Sequence, residues 1–320
     1  MTSARDPAFA SALRDRIAGE VREAEPLARW SSYRIGGPAT VVMPSCAEDV
    51  AVAVRMAAQT GMPWFALGLG SNLLFPDMGL EALVIRVGKG LDRMDQTAGH
   101  WTLGAGLPAP LAAKRTAAAG WAGIHKLAGV PGSVGGGIVM NAGCHGVEWR
   151  DTVVSVLVLD AEGQDRVVPA AEAGFAYRRS ALGHVVVLET TVALVAEDPA
   201  RLEEEIEGLA RWRRDATPFN QPCCGSVFKN PVLPPDWAPD NPRTSGQCID
   251  ATGLKGLRVG GIEVSSMHAN YFVNLSHGTA EDVMALMRQV RSRVRERWGV
   301  ELLPEVQLIG ADGGVQRLEG

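Results

Sequence analysis

The sequence is short of lysine, of tyrosine, of paired cysteines and of long apolar runs. Five lysines stand against 26 arginines, and only three tyrosines occur in 320 residues. No uninterrupted apolar run reaches the ~18 to 20 residues that cross a bilayer. The N-terminal stretch MTSARDPAFASALRDRIAGE mixes charges through any signal core, so a cytoplasmic protein without a membrane partner is expected. Cys46, Cys144, Cys223, Cys224 and Cys248 form an odd set with no Cys-x-x-Cys pair, which argues against a disulfide framework and against a thiolate zinc site. The adjacent Cys223 and Cys224 would close a strained ring if bonded. Six histidines without ligand spacing imply no metal. A net charge of −5 leaves no basic footprint for nucleic acid. With 46% hydrophobic residues disorder is excluded, and the length predicts two or three domains.

Glycine is in excess. The 37 glycines are about 12% of the chain against an ordinary level of roughly 7%, without a collagen-like period. Glycine in such numbers has a backbone role, either in turns or in close approach to a ligand.

Local patterns predict a mixture of helices and strands. Ser45 and Glu48 read as a capping box ahead of an Ala/Val-rich helix that stops at Gly61. Strands are predicted at 64–67, 82–87, 153–159 and 185–195, with a turn at Glu162-Gly163 before Val167-Val168, and a helix at 111–119. A charged helix at 200–214 marks a boundary near 205–220, and the five prolines of 231–242 make a loop. Beyond it follow a strand at 269–274, a long amphipathic helix opened by Thr279 and Asp282 and closed at Gly299, and an irregular strand at 300–309 containing Pro304.

Three groups of residues carry chemistry. GLGSNLL, from Gly68 to Leu74, follows a strand and offers glycine backbone beside Ser71 and Asn72, which suits a pyrophosphate. It lacks the third glycine of a dinucleotide fingerprint, and a plain glycine turn is the alternative. LAGVPGSVGGGIVMNAG, from Leu127 to Gly143, lies in a stretch of 43 residues containing 11 glycines. So much glycine is expected neither to form a helix or strand interior nor, given its apolar neighbours, to be a flexible linker, but to wrap an anion with unobstructed N–H groups. Finally AYRRS (176–180), CCGSVFKNP (223–231), GLKGLRVGG (253–261) and LLPEV (302–306) present polar side chains beside glycine or proline. Each alone is a possible surface turn, whereas together, with Lys229 and Lys255 among them, they call for an anionic substrate.

Taken in order from about residue 28 to 312, SSYRIGG (31–37), GLGSNLL, AGVPGSVGGGIVMNAG (128–143), YRRS, GSVFKNP, GLKGLRVGG with the following VSSMHANYFVN, and LLPEVQLIG resemble the UDP-N-acetylenolpyruvoylglucosamine reductase family. These flavoenzymes complete UDP-N-acetylmuramate in peptidoglycan synthesis. The resemblance implies an α+β chain, with two FAD-binding subdomains of the vanillyl-alcohol-oxidase/PCMH type at 1–95 and 96–205 and an α/β substrate domain at 206–299. A C-terminal strand at 300–320 would return to the FAD-binding region. It also implies noncovalent FAD, held by Gly68, Gly70, Ser71, Asn72, Leu73, Gly129, Pro131, Gly132, Ser133, Gly136, Gly137, Asn141 and Ala142. NADPH would give a hydride to the flavin, which passes it to the methylene carbon of the enolpyruvyl ether.

Arg178, Ser226 and Glu305 match the family's catalytic positions. A cation such as Arg178 stabilises the charge that grows on the substrate carboxylate. The resemblance implies that Glu305 would share a proton or hydrogen bond there if a nonpolar setting raised its pKa, and that Ser226 would protonate the adjacent carbon with Lys229 or Arg214 as cationic neighbours. Tyr177, Arg214, Asn230, Lys255 and His268 match positions that contact the UDP-sugar. Two departures stand out: Cys144-His145 where the family has Ala-Tyr, and Cys224 where it has alanine. Only 45 residues separate Ser180 from Ser226, which leaves little room for the substrate-closing tyrosine loop of one branch of the family and points to the shorter, second type. A monomer is favoured. An FAD oxidase of the same superfamily and a UDP-sugar-binding regulator are the rival readings.

Overall fold

Chain contacts in the computed structural model, which describes residues 6–218 and 220–319, divide the protein into two units. The first comprises the residues up to Glu25 with Ala39–Leu69 and Glu81–Arg213. The second comprises Pro26–Pro38, Gly70–Leu80 and the chain from Arg214 onward. Segments 26–38 and 70–80 lie inside the stretch expected as the first FAD subdomain, yet they pack with the C-terminal half. The reason is local: the Asn274 amide donates to the Tyr33 carbonyl at 3.0 Å, and Tyr33, Ile35 and Leu74 join the core of that unit.

The first unit contains two sheets. In one, strands Glu20–Pro26, Pro38–Met43, Leu83–Arg86 and Trp64–Leu67 lie in that order, with Leu83–Arg86 parallel to both neighbours. The near-continuous apolar strands suit a parallel sheet covered by a helix. That helix, Ala47–Thr60, stops at Gly61 as predicted, but its start differs. No Ser45–Glu48 capping box forms, because Asp49 takes both the Ser45 N–H and the Ser45 hydroxyl at 2.8 Å. Asp49 also accepts the N–H groups of Ala18 and Gly19, tying the entering strand to the helix. The second sheet is antiparallel, in the order Asp165–Pro169, Val153–Leu159, Val186–Ala193, His100–Gly104, Met94–Thr97. Its first hairpin turns where Asp160 accepts the N–H groups of Glu162 and Gln164. Val42, Ile85, Leu103, Val156 and Leu188 belong to one core shared by the two sheets.

The glycine tract corrects the expectation that it holds no helix. Val134–Val139 is a short α-helix containing three successive glycines. Packing overrides propensity here. A Cβ on Gly135 would lie 2.9 Å from the Ala105 Cβ, and one on Gly137 would lie 2.4 Å from Nε1 of the fully buried Trp149. Only glycine lets this turn sit so close to the strand end and the tryptophan.

In the second unit, the helix Ala280–Trp298 has the predicted Thr279/Asp282 capping box and ends at Gly299. Asp77 accepts a further N–H of this helix start, that of Ala280, at 3.0 and 3.1 Å. A small antiparallel sheet joins Arg258–Val259, Ile262–Val264 and Phe272–Asn274, the last of these shorter than the expected 269–274. The expected strand 300–309 is reduced to Gln307–Ile309, which pairs in parallel with Leu73–Leu74. Pro304 has no N–H to give, and this stretch instead makes an isolated bridge to Phe228. The loop 231–242 carries neither helix nor strand.

Candidate active site

In the first unit, the strand Trp64–Leu67 delivers Gly68 against the Gly129–Ala142 tract. A Cβ on Gly68 would lie 2.4 Å from the Ser133 Oγ, so the two motifs touch through a position where any side chain intrudes. Ser133 caps the short helix by accepting the Gly136 N–H at 3.3 Å. The amides expected to wrap an anion are largely spent within the protein: Val134 donates to Leu107 and Gly135 to Ala105. Ser133 is 1% exposed, and its own N–H meets no acceptor among the described residues. This buried orphan, between exposed Pro131 and exposed Gly136, suits an anionic group such as a pyrophosphate oxygen. Gly137 faces Trp149, so its service is to packing.

Asn141, also expected at the cofactor, is fully buried and works inside the loop. Its amide donates to Glu148 at 3.0 Å and to the Ala176 carbonyl at 2.9 Å, and its oxygen accepts the Arg150 N–H. Glu148 in turn receives the Arg178 guanidinium at 3.2 Å, while Arg178 also donates to the Gly143 carbonyl at 2.7 Å and lies over the Tyr177 ring. Arg178 adopts a left-handed φ of +53°, which turns its side chain back over this loop. The Cys144-His145 departure sits on the same hairpin. The Cys144 thiol donates to the Lys126 carbonyl, and His145 meets Trp212 edge-on at 5.0 Å. Burial, then the Arg213 and Lys126 charges, push the His145 imidazole down, so it stays neutral near pH 7.

The second unit brings two of the expected catalytic residues together. The segment Ser226–Lys229 is held along one edge by the chain around Glu305. The Glu305 N–H donates to the Val227 carbonyl at 2.8 Å, and the Lys229 N–H donates to the Leu303 carbonyl at 2.9 Å. Ser226 bridges Tyr271 on the other edge. No bond from the Ser226 hydroxyl to its own backbone occurs among the described residues.

The GLGSNLL residues of this unit support the same segment. The Asn72 amide donates to the Glu305 carbonyl at 3.0 Å, the Gln307 N–H donates to the Asn72 carbonyl, and the Cys224 thiol donates to the Leu73 carbonyl at 3.1 Å. Asn72 and Leu73 therefore brace the Ser226 and Glu305 segments, a role their sequence position does not announce. Gly70 has φ +64°, and a Cβ there would lie 1.8 Å from the Trp30 carbonyl oxygen. Ser71 adjoins it, half-buried.

Three of the expected substrate contacts converge on the helix Ser245–Ala251. The Asn230 oxygen accepts the Ser245 N–H at 3.2 Å, Lys255 pairs with Asp250 at 2.7 Å, and the His268 ring lies against Gly246. Burial, then the Lys255 ammonium, push the His268 imidazole down. Its Nδ1 accepts the Asn270 N–H, so the proton of the neutral ring is assigned to Nε2, as a donor. Arg214 is exposed near the end of Pro199–Ala216 and does not join this group. Tyr177 is carried by the first unit, 44% exposed.

Residues 38–167 match the family model of an FAD binding domain. Residues 217–309 match that of the UDP-N-acetylenolpyruvoylglucosamine reductase C-terminal domain. The chain is 44% identical over 290 residues to the UDP-N-acetylenolpyruvoylglucosamine reductase of Rubrobacter xylanophilus, covering 89% of this chain and 94% of that one. With the enzyme of that name from Halalkalibacterium halodurans it shares 37% identity over 301 residues, 93% and 97% of the two chains. The crystal structure of UDP-N-acetylenolpyruvylglucosamine reductase from Thermus caldophilus matches with a TM-score of 0.75 at 32% identity, over 91% of this chain and 99% of that one. The chain belongs to the UDP-N-acetylenolpyruvoylglucosamine reductase family.

Like its family, the chain is an FAD-dependent oxidoreductase, and the parallel and antiparallel sheets of its first unit are the α+β FAD-binding fold of the PCMH type. Among the described residues no helix is long and apolar enough to cross a membrane, and no group of three or more His, Cys, Asp or Glu could hold a metal ion. Sequence reasoning passed over Glu148, Ser245 and Asn270. Glu148 follows the Cys144-His145 departure, and Asn270 stands two residues after His268 in a motif already singled out, so both were within reach of a search for charge partners.

Proposed function

We propose that the chain reduces UDP-N-acetylglucosamine enolpyruvate to UDP-N-acetylmuramate for peptidoglycan synthesis in the cytoplasm, with NADPH as the hydride donor and FAD held noncovalently. When bound, FAD supplies the two-electron step, accepting a hydride from NADPH and giving it to the methylene carbon of the enolpyruvyl ether. Gly68, Gly129, Pro131, Gly132, Ser133, Gly136 and Ala142 would hold it from the first unit, the Ser133 N–H facing a phosphate oxygen. Gly70 and Ser71 are proposed for the same cofactor, while Asn72 and Leu73 brace the Ser226 and Glu305 segments.

Arg178 stabilises the negative charge that accumulates on the substrate carboxylate, and Glu148 with the Gly143 carbonyl holds its guanidinium in one orientation. The Ser226 Oγ gives its proton to the carbon bearing the carboxylate, and Glu305 supports the protonated end of the same reaction. Lys229, three residues along, is the cationic neighbour that makes a serine hydroxyl a usable acid. Tyr177, Arg214, Asn230, Lys255 and the His268 Nε2 proton receive the UDP-sugar, with Lys255 exchanging its Asp250 partner for diphosphate.

The observation that carries this reading is the backbone bond from Glu305 to Val227, which places a carboxylate-bearing residue and a serine with a hydroxyl not engaged by its own backbone on neighbouring extended segments. Rapid-mixing flavin absorbance tests it. In Ser226→Ala, NADPH reduces the flavin at the wild-type rate while reoxidation by the enolpyruvyl substrate falls by about 10²- to 10⁴-fold, the usual worth of a general acid. Equal losses in both half-reactions, or none in either, would overturn the acid assignment.

A further inference from the structure

Every polar atom of Asn270 is engaged, although the residue is only 4% exposed. Its Nδ2 donates to the Phe228 carbonyl at 2.7 Å and its Oδ1 accepts the Phe228 N–H at 3.0 Å. Its backbone carbonyl accepts the Val227 N–H at 2.8 Å, and its backbone N–H donates to His268 Nδ1 at 3.2 Å. A side-chain amide that meets both the N–H and the C=O of one residue acts as a rung of a β-ladder. Two bonds in one plane fix the rotation of that stretch of backbone as well as its position. The amide orientation is determined by its partners, since the reverse would set N–H against N–H and C=O against C=O.

The chain enters this segment through Gly225, at φ +71°, where it can pivot at little cost. The opposite edge is held by main-chain bonds, the Glu305 N–H donating to Val227 and the Leu303 carbonyl accepting from Lys229. Asn270 is the side chain that closes the second edge, and through its N–H it also fixes which nitrogen of His268 faces outward. We propose that Asn270 is a positioning residue for proton delivery, setting the direction of the Ser226 hydroxyl by clamping Phe228 while holding His268 as a donor toward the sugar substrate. It touches neither substrate nor cofactor itself. The inference rests on the reading of Ser226 as the proton donor.

Asn270→Asp preserves shape and the acceptor for the Phe228 N–H but turns a carboxylate oxygen toward the Phe228 carbonyl. In the holoenzyme, NADPH-driven flavin reduction stays within about twofold of wild type, while substrate-driven reoxidation falls about 10- to 100-fold, the scale of a misplacement near 1 Å. As the pH is lowered the variant carboxyl gains a proton that can be donated to the Phe228 carbonyl, so its reoxidation rate recovers relative to wild type. Asn270→Ala, which loses both bonds, shows the same initial loss without recovery. His268, on which Lys255 and Asp250 also act, is the titratable ring bonded to this residue, and its titration in wild type and in Asn270→Ala sets the baseline against which the acid recovery of the Asp variant is read.

Ser226→Ala run alongside separates the two claims. If it reoxidises at the wild-type rate, the acid assignment fails. If it is slow while the Asn270 variants match wild type, or while Asn270→Asp loses both half-reactions equally and shows no acid recovery, the positioning role is overturned. Should the aspartate variant not fold as holoenzyme, Asn270→Ser, able to meet only one of the two Phe228 groups, is read for the same split, and equal loss in both half-reactions overturns the proposal.

Discussion

Gly68 and Ser133 offer a quantitative test of how the two glycine motifs fit. In Gly68→Ala the new Cβ would stand 2.4 Å from the Ser133 Oγ and 3.6 Å from the Ser133 Cβ. The second distance is ordinary contact, whereas the first is too short by about 1 Å for carbon against oxygen. The backbone at Gly68 is not left-handed, so the strain is steric alone. Relief requires the Ser133 hydroxyl to rotate away, breaking its 3.3 Å cap on the Gly136 N–H. A lost serine cap costs about 1 kcal/mol, so Gly68→Ala is expected to destabilise the first unit by about 1 to 2 kcal/mol, cap and residual crowding together. Ser133→Ala alone costs about 1 kcal/mol by the same loss. The double variant has already lost the cap and has room for the methyl, so it too costs about 1 kcal/mol, giving a coupling of about −1 to −2 kcal/mol. Urea unfolding of the apoprotein followed by tryptophan fluorescence reads it, Trp149 lying on Gly137 of the capped helix. A double variant as costly as the sum of the singles refutes the contact. A Gly68→Ala loss above about 4 kcal/mol would show that backbone, not hydroxyl, has to move.

Asp49 links acid stability to one carboxylate. Burial alone would raise its pKa, but the bonds from the Ser45, Ala18 and Gly19 N–H groups and the Ser45 hydroxyl outweigh it and hold the group below its ordinary value. A depressed native pKa contributes stability that is complete above the unfolded value near ~3.9 and is lost as pH falls through the native one. Asp49→Asn is therefore expected to lower stability by about 2 kcal/mol at pH 7, with the gap to wild type closing below pH ~4. A gap in urea midpoints that stays constant or widens in acid contradicts this. Cys224 should be chemically silent: burial pushes its thiol up to about 12, despite the opposing influence of the Ser32 hydroxyl and the Leu73 backbone. Iodoacetamide at pH 8, followed by peptide mass spectrometry, should modify exposed Cys46 at least about 10²-fold faster than Cys224 in the folded protein. Comparable rates would show that the Ser226 loop opens readily.

The sequence made the long-range pairings legible only as an ordered set of motifs. Nothing local in GLGSNLL says that Asn72 reaches a carbonyl 233 positions away, or that the segments around Ser226, Asn270 and Glu305 lie side by side by isolated bridges. Such contacts carry no periodicity, so spacing cannot reveal them. Where a rule was strictly local, as at Thr279 and Asp282 or at the Glu162-Gly163 turn, the reading and the structure agree. At Ser45 a local rule lost to Asp49, which gathers donors from two elements at once.

The glycine tract is the most instructive disagreement. Low helix propensity was read as excluding a helix and leaving amides free for a ligand, yet Val134–Val139 is helical and most of its leading amides are satisfied. Packing and ligand readings nevertheless require each other. Because Gly135 and Gly137 let the helix press onto Ala105 and Trp149, the turn before it is drawn tight enough to bury Ser133. A serine so buried, with its hydroxyl oxygen accepting the Gly136 N–H and its carbonyl the Gly137 N–H, has its own N–H and its hydroxyl proton left to offer. If the Ser133 turn meets the FAD pyrophosphate as proposed, the tract's glycines serve it indirectly, by what they permit behind them, and replacing Gly135 should weaken FAD binding, read by flavin titration of the apoprotein, without any side chain entering the cofactor's space.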